Sequence, residues 1–358
     1  MTVTEKAPPR LQKTQAVNGI ALVIKAARLL LPVMVAGVGY AGWSIEWVPM
    51  IRHFFLGPGK WSRMMLLGFG LANWKNMPFM WTYRVWKAII MHSWVRSVPP
   101  CTPRMLYAPM ISPSRTPLLE IDYNLHKSNS TYFSDLDVSR SHLVSYIARE
   151  GMVALANNAQ NKIVINATTG APATGTFGIM LGAAHCSWHR EIPPGQKYEV
   201  WTRILSWDRK WLYILTHFVP AGLGRPSEYL DPKSGKVTSK KGPAVGWEKR
   251  IYATALSKYV FKLDRLTIHP ALLLNASSLL PVRPGGWNKE DLVEVPSAEL
   301  IEAEPENVNG TDGQPGWEWV EWRRQQGMKY ASGFLKLDEL STFFEGGQGA
   351  AIGVFGPC

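Results

Sequence analysis

The chain has 358 residues, 46% of them hydrophobic, and its 39 Lys and Arg against 27 Asp and Glu give a formal net charge of +12 at pH 7. This length is enough for a hydrophobic core and for more than one structural unit. The positive charge favours an anionic partner, which could be nucleic acid, a phospholipid surface or a phosphorylated ligand. No zinc-finger spacing, aromatic–basic RNA-binding signature or basic-region heptad is found, so the sequence predicts no nucleic-acid partner.

The cysteines indicate neither a disulfide framework nor a metal site. Cys101, Cys186 and Cys358 are scattered and form no CxxC pair, which favours a reducing compartment. His185 and His189 would share one face of a strand from which Cys186 points away. A zinc site would need further ligands from elsewhere in the chain. The sequence therefore predicts no metal and no bound cofactor.

The N-terminal part has the composition of a membrane-associated segment. Residues 29–45 contain no charge, and this run is at the short end of what spans a bilayer. Residues 61–95 then mix Trp and Met with Lys and Arg and contain almost no acid, a composition typical of the membrane–water interface. A tryptophan-rich soluble helical cap is the alternative. We expect residues 1–96 to be a membrane-associated helical segment, either single-pass or interfacial, with membrane lipid as a partner and the organelle unassigned.

Changes in composition divide the rest of the chain into a linker, a folded domain and an extension. Residues 97–117 contain six prolines and are predicted to be an extended linker. Residues 118–281 are predicted to be one domain, with loop-like insertions near 157–178 and 221–249. Residues 282–358 are a C-terminal extension with a helix.

The domain begins with one candidate strand and one candidate helix. Residues 118–126, "LLEIDYNLH", are the first short strand candidate. Asp135 and Asp137 follow, and Ser139 or Ser141 can cap the start of a helix. The apolar stripe of that helix comprises Leu143, Ile147 and Met152.

Alternating residues then predict a long antiparallel hairpin. Residues 198–205 and 211–216 carry β-branched and aromatic side chains on both faces, and "WDRK" at 207–210 forms the turn. Residues 250–268 supply another long strand. One helix packed on an antiparallel sheet makes an α+β domain.

Near the C-terminus, residues 317–344 are predicted to contain a helix. Its expected solvent-facing residues are Glu318, Glu321 and Arg324 or Gln325. Its expected docking residues, which would contact the domain or a membrane, are Trp319, Trp322, Met328 and Phe334.

Two stretches carry a resemblance to a known family. "SDLDVSRSHLVSY" at 134–146 and "HCSWHREIPPGQKYEVWTRILSWDRKWLYILTHFV" at 185–219 resemble the hotdog-fold thioesterase-like family. The nearest branch is membrane-anchored and includes thioesterase superfamily member six and fungal relatives, some encoded beside secondary-metabolite genes. The likeness covers roughly residues 118–280. It implies a long central helix wrapped by an antiparallel β-sheet, a homodimer with sites at the subunit boundary, and an acyl-CoA or acyl-carrier thioester as ligand.

The resemblance also implies the catalytic residues. Many hotdog enzymes have Asp-x-Asp, then His or Gly, then Asn-Asn-x-x-Tyr. Asp135 and Asp137 match the first element, and Asp137 falls on the position of the base or nucleophile. The Asn pair is absent, since "SHLVSYI" stands there, and His142 is one residue off the family histidine. The predicted catalytic residues are Asp137, His142 and Asp135.

Thioester hydrolysis needs a carboxylate that activates water or attacks the carbonyl, and donors aimed at the developing oxyanion. A helix N-terminus supplies free N–H groups and a partial positive charge. We therefore expect Asp137 to act on the carbonyl while nearby amides polarise it. The residues expected to contact the coenzyme or carrier are Arg140, Ser141, Leu143 and Arg190.

Simpler alternatives remain open at this point. Asp135 and Asp137 could be turn or cap residues, and Arg140 could form an ordinary ion pair. The whole protein could be a non-catalytic hotdog protein that binds an acyl or polyketide intermediate or scaffolds partners at a membrane. A structural protein of the lipid interface is the third possibility.

Overall fold

The computed structural model divides into two compact units, between Leu71 and Ala72, rather than at the expected boundary after residue 96. The residues that the structure describes are 32–33, 36–37, 39–95, 100–166, 169–222, 228–230, 237–239, 246–287 and 314–343.

The first unit contains two short helices, α1 (Trp47–Leu56) and α2 (Lys60–Ala72), neither of which has a buried residue. The guanidinium of Arg63 donates to the carbonyls of Phe54 and His53, at 3.0 and 2.7 Å, and so satisfies the end of α1. Within the described part of the chain, no helix is both long and apolar enough to cross a bilayer. Of the apolar run 29–45, on which that prediction depended, residues 29–31, 34–35 and 38 lie outside the described residues.

The second unit holds the predicted sheet and its helices. Its elements are α3 (Met80–Ile90), β1 (Met110–Arg115), α4 (Asn129–Ile147), α5 (Arg149–Ala156), α6 (Asn158–Asn161), β2 (Phe177–Trp188), β3 (Lys197–Trp207), β4 (Trp211–Pro220), β5 (Glu228–Leu230), β6 (Val237–Ser239), β7 (Ala253–Leu263), β8 (Leu266–Ile268), α7 (Pro270–Ala276) and α8 (Trp317–Lys336).

The main sheet is antiparallel and has the strand order β1-β3-β4-β7-β2, with β8 paired to β7. The predicted hairpin is confirmed as β3 and β4. Asp208 fixes its turn, because its carboxylate accepts from the amides of Lys210 and Trp211 at 2.7 and 2.6 Å. The single long strand predicted over 250–268 is instead two strands, β7 and β8, which pair with each other. A long helix packed on this sheet is the predicted hotdog fold, and β5 and β6 form a separate small ribbon within the second insertion.

Two segments differ from the expectation. Part of the 97–117 segment is β1, an edge strand that pairs with β3 from Met110↔Thr202 to Arg115↔Lys197. Its Pro113 is tolerated because an edge strand leaves one side of its backbone unpaired. The strand predicted over 118–126 is wrong: Leu118–Glu120 is a 3-10 turn, and an isolated bridge joins Ile121 to Lys127.

Helix α4 begins at Asn129, well before the predicted caps Ser139 and Ser141. Its apolar stripe is interrupted by buried polar residues, among them Asp135 and Arg140, and this interruption hid the first half of the helix from a periodicity argument. Its inner face packs on the sheet. The buried residues that anchor it there include Tyr132, Leu136, Leu143 and Ile147.

Helix α8 confirms the predicted C-terminal helix but not its solvent face. Glu321 and Arg324 are buried, and the Arg324 guanidinium donates to both carboxylate oxygens of Glu321, at 2.9 and 2.7 Å, and to the carbonyl of Trp207 at 3.0 Å. At Gly327 a Cβ would meet the carbonyl oxygen of Leu205 at 2.4 Å. The helix therefore lies directly on the backbone of β3, and its charged residues are used in that contact.

Candidate active site

The two aspartates singled out in the sequence lie inside α4, not ahead of it. The amides of Ser141, His142 and Leu143 are accordingly in the helix interior, where N–H groups bond to the carbonyls four residues earlier. The expected oxyanion donors at these positions are therefore wrong. Leu143 is in addition buried in the core.

Asp135 is the centre of a buried ion cluster. Its carboxylate lies 2.9 Å from Lys75 Nζ, 3.1 Å from Lys127 Nζ and 3.0 Å from Arg84 Nη2. The hydroxyl of Tyr198 donates to it at 2.5 Å. Both lysines also contact Glu120, at 2.8 and 2.6 Å. Here the ion cluster means Lys75, Arg84, Glu120, Lys127, Asp135 and Tyr198.

The electrostatics of the ion cluster keep Asp135 ionised. Burial by itself raises the pKa of this carboxyl, but the charges of Lys75, Lys127 and Arg84 outweigh burial and hold the pKa well below its usual range. Burial lowers the pKa of Lys75. Burial, and then the Asp135 charge, raise the pKa of Tyr198. A carboxylate held by three cations is a structural ion rather than an available base.

Asp137 has a simpler environment. Its carboxylate accepts from Arg140 Nη2 at 2.5 Å, and its side chain is 34% exposed. Arg140 itself is buried and also donates to the hydroxyl of Ser257 at 2.5 Å. The catalytic role of Asp137 stays a prediction, and the burial of Arg140 is unfavourable for contact with a coenzyme phosphate.

His142 lines a cavity of about 470 Å³ between α3, β1 and α4, together with Asp135. Its Nδ1 lies 2.9 Å from Nε2 of His92. This space is called the Arg84 cavity below. It is lined by Arg84, Lys87, Met91, His92, Met110, Ile111, Ser112, Pro113, Ser114, Asp135, Val138, His142 and Val200.

A closer match to the expected motif lies upstream of these residues. The run "EIDYNLHKSNSTY" at 120–132 has an acid pair in Glu120 and Asp122, then His126, then Asn129 and Tyr132. The first Asp of the pattern is replaced by Glu and the first Asn by Ser. Because of these two replacements, the intact Asp-x-Asp further along the chain looks like the better match. The signal was present: acid, histidine, asparagine and tyrosine in the family order within one short stretch.

The structure brings this motif to the true start of α4. Nδ1 of His126 lies 3.6 Å from the carboxylate of Asp122, and its Nε2 lies 3.6 Å from the carboxylate of Glu191. The Asp122 carboxylate also accepts from the amide of Asn124 at 2.9 Å. Asn129 is the first helical residue. The histidine thus stands between two acids beside the N–H groups of the first turn.

A second cavity, of about 220 Å³, opens at this end of the helix. It is called the His126 cavity and is lined by His126, Lys127, Asn129, Tyr132, Trp188, His189, Arg190 and Glu191. Of the residues expected to contact the coenzyme or carrier, Arg190 lies here. His189 contacts Thr254 at 3.1 Å and His185 contacts Ser187 at 3.0 Å, and the described residues contain no group of three His, Cys, Asp or Glu that could hold a metal ion.

Comparison with known proteins gives concordant results. Residues 116–235 match the thioesterase-like superfamily. Thioesterase poxG of Penicillium oxalicum is 34% identical over 293 residues, which cover 80% of this chain and 87% of the relative. The probable thioesterase atnL of Emericella nidulans is 31% identical over 299 residues, which cover 80% and 89%.

A solved probable thioesterase from Bartonella henselae is 8% identical, and the match covers 45% of this chain and 98% of the other, at a TM-score of 0.29. The family assignment depends instead on the extent of the two fungal matches and on the matched domain. The chain belongs to the thioesterase-like superfamily.

Proposed function

We propose that the protein hydrolyses an acyl thioester, presented on coenzyme A or an acyl carrier, with His126 as the general base. The observation that carries the proposal is the position of His126 between Asp122 and Glu191, just ahead of α4 and on the wall of the His126 cavity. The family membership and the fungal thioesterase relatives support the reaction class.

The chemistry follows from these groups. A water molecule held by the imidazole attacks the thioester carbonyl, and His126 takes the proton of the water. The N–H groups at the start of α4 stabilise the oxyanion that forms on the carbonyl oxygen. The tetrahedral intermediate then collapses, the C–S bond breaks, and the proton on His126 passes to the leaving thiolate. The products are a carboxylic acid and a thiol.

Asp122 and Glu191 act on His126 rather than on the substrate. A carboxylate beside each ring nitrogen stabilises the imidazolium that forms when His126 accepts a proton. Both distances are 3.6 Å, which is long for a hydrogen bond, but such contacts often shorten when substrate binds. Asp137, the base predicted from the sequence, has no histidine among its described contacts and is the natural competitor to test.

Arg190 provides a cation for the non-reacting part of the substrate. It lines the His126 cavity directly after the end of β2. A guanidinium binds phosphate oxygens in a forked geometry, so Arg190 suits the phosphates of a coenzyme or of a carrier arm. Arg190 is therefore the phosphate-binding residue of the proposal.

We also propose a homodimer formed through β2. This strand is 12 residues long, lies at an edge of the sheet, and carries exposed Met180 and Leu181. Such an edge is a template for pairing with another strand. Because His189 and Arg190 follow β2 directly, pairing would put the His126 cavity near the subunit boundary. Sedimentation velocity on Leu181→Lys should show monomers, and an unchanged dimer would remove β2 as the interface.

The expected membrane association is supported by α1 and α2. No acidic residue occurs from 47 to 72, and the apolar side chains of Trp61, Met65 and Leu66 are more than 70% exposed. Exposed aromatic and apolar groups interspersed with cations suit the bilayer interface. Replacing all three by Ser should abolish flotation with anionic vesicles, whereas Val153→Ser on α5 should not. Equal flotation of the two variants would remove lipid as a partner.

The central test of the proposed function compares two histidines. His126→Gln should lower kcat/KM on a responsive acyl-CoA by about 10²–10⁴-fold, the usual contribution of a general base. His142→Gln, which alters a histidine of the Arg84 cavity, should stay within about threefold of the wild type. Circular dichroism and thermal melting verify that both variants fold.

The outcome also separates the two function classes. Loss of activity in His142→Gln alone would contradict the assignment of His126. No hydrolysis by the wild type over a panel of acyl-CoA and acyl-carrier substrates, together with a co-purifying acyl ligand, would instead support the non-catalytic binding protein.

A further inference from the structure

The Arg84 cavity is a second ligand-sized space that the thioesterase chemistry does not use. Its volume of about 470 Å³ lies within the usual range for small-molecule sites. One part of its wall is apolar, with Met91, Met110 and Val138, and another is basic, with Arg84 and Lys87. We infer that this cavity binds an amphiphilic anion, that is, a carboxylate or phosphate monoester with an apolar tail.

The charges on the wall favour an anion. Asp135 is the only acid among the described lining residues. Its carboxylate is already paired with Lys75 and Lys127 and accepts a hydrogen bond from the Tyr198 hydroxyl. The positive charge of Arg84 is therefore not needed to neutralise it. The ion cluster holds three cations and two carboxylates, and Lys87 adds a further cation at the rim. The net charge facing the cavity is positive.

The ligand needs an apolar portion as well as a charge. Met91, Met110, Ile111, Val138 and Val200 face the same space. Replacing water by a hydrocarbon against this apolar surface is favourable, because apolar surface is removed from water. The hydroxyls of Ser112 and Ser114 can donate to an anion near the β1 edge. An inorganic anion would leave most of the wall unfilled, and an uncharged lipid would leave the net positive charge of the wall unmatched.

The Arg84 cavity is not an extension of the proposed active site. Lys127 lines the His126 cavity, Asp135 lines the Arg84 cavity, and the two side chains are in contact at 3.1 Å. A buried ion pair therefore stands between the two spaces. An acyl chain that passed between the two spaces at this point would have to separate these charges, which is unfavourable in a buried site. The inference is independent of which residue catalyses hydrolysis.

Titration calorimetry with the full chain tests the inference with four probes. Decanoate and decyl phosphate carry the same tail with the two kinds of anionic head, decanol carries the tail alone, and inorganic phosphate carries a head alone. Decanoate or decyl phosphate should bind at least tenfold more tightly than decanol, and inorganic phosphate should not bind measurably. The tighter of the two anions identifies the head group.

Two variants locate the binding. Lys87→Glu reverses an exposed charge at the rim and should weaken the tighter anion at least tenfold while leaving decanol unchanged. Ser112→Trp fills the cavity from β1 and should abolish binding of both. Lys329→Glu, an exposed charge reversal on α8, is the matched control and should bind like the wild type.

The inference is overturned if decanol binds as tightly as both anions, or if Lys87→Glu and the control bind the anions equally. Its failure is distinct from failure of the proposed function, because Lys87→Glu should hydrolyse acyl-CoA at the wild-type rate. Should Ser112→Trp not fold, the charge reversal alone decides the question.

Discussion

Acids lie both just ahead of α4 and inside it, yet the two regions use them in opposite ways. Ahead of the helix, Asp122 lies beside His126, which lines a cavity, and its carboxylate also accepts from the amide of Asn124. In the second turn of the helix, Asp135 is held by three cations and a tyrosine hydroxyl in the buried ion cluster. The first acid can respond to a substrate, whereas the second is committed to the fold.

This difference shows that an Asp-x-Asp pattern does not identify a catalytic acid by itself. Burial among cations stabilises the charged form of a carboxylate and removes its ability to accept a proton near neutral pH. A carboxylate beside a histidine in a cavity keeps its charge and remains able to take part in proton transfer. The predictions below test whether the two regions differ in stability and in activity as this account requires.

The largest effect on stability is expected at Asp135. Asp135→Asn removes the shared partner of three cations in the protein interior, and breaking a buried pair in this way costs about 3–5 kcal/mol. Urea unfolding at pH 7 measures the loss in the free energy of unfolding. Glu150→Gln, which affects a pair with Arg149 in which the Glu150 side chain is 40% exposed, should cost no more than about 1 kcal/mol.

The pH dependence of that loss has a definite sign. The folded pKa of Asp135 lies below its unfolded value, so its contribution to stability is fully present above the unfolded pKa of about 3.9. It is lost as the pH falls through the folded pKa. The difference in the free energy of unfolding between the wild type and Asp135→Asn should therefore be constant from pH 7 to about pH 5. It should decrease only in stronger acid. If this difference disappeared between pH 7 and pH 5, Asp135 would not be held by these cations.

A smaller loss of stability is expected for a substitution at Tyr198. Tyr198→Phe removes the hydroxyl that donates to Asp135 but keeps the buried ring and all three cations. A hydrogen bond to a charged group contributes about 1.5–3 kcal/mol, and the free energy of unfolding should fall by that amount. Tyr330→Phe, on an exposed tyrosine of α8, serves as the control and should change stability by less than about 0.5 kcal/mol. An equal effect of both substitutions would remove this hydroxyl from the ion cluster.

Much of the fold could be predicted from the sequence because the sheet follows local rules. Alternation marks β3, β4 and β7, and "WDRK" marks the turn between the first two. Helix α4 was found only in its second half, since Asp135 and Arg140 interrupt its apolar face and their burial depends on distant partners. Strand β1 was assigned to a proline-rich linker because its pairing with β3 is a long-range contact.

The candidate site was less predictable for a related reason. The ion cluster draws Lys75 and Arg84 from the region of α3 that the sequence assigned to a membrane segment, and no local pattern connects them to Asp135. Glu191, near the end of β2, meets His126 only through the fold. The motif at 120–132 was visible, but two conservative replacements made the later Asp-x-Asp look like the better match.

The central claim is that catalysis belongs to the segment just ahead of α4, which holds Asp122 and His126, and not to the aspartates inside the helix. The most direct measurement is kcat/KM for Asp122→Asn and Asp137→Asn on the same acyl thioester. Asn can still accept the Asn124 amide at one position and the Arg140 guanidinium at the other, so both variants should fold. The account predicts a loss of about 10²-fold for Asp122→Asn and a change within about threefold for Asp137→Asn. A wild-type rate for Asp122→Asn together with an inactive Asp137→Asn would contradict it.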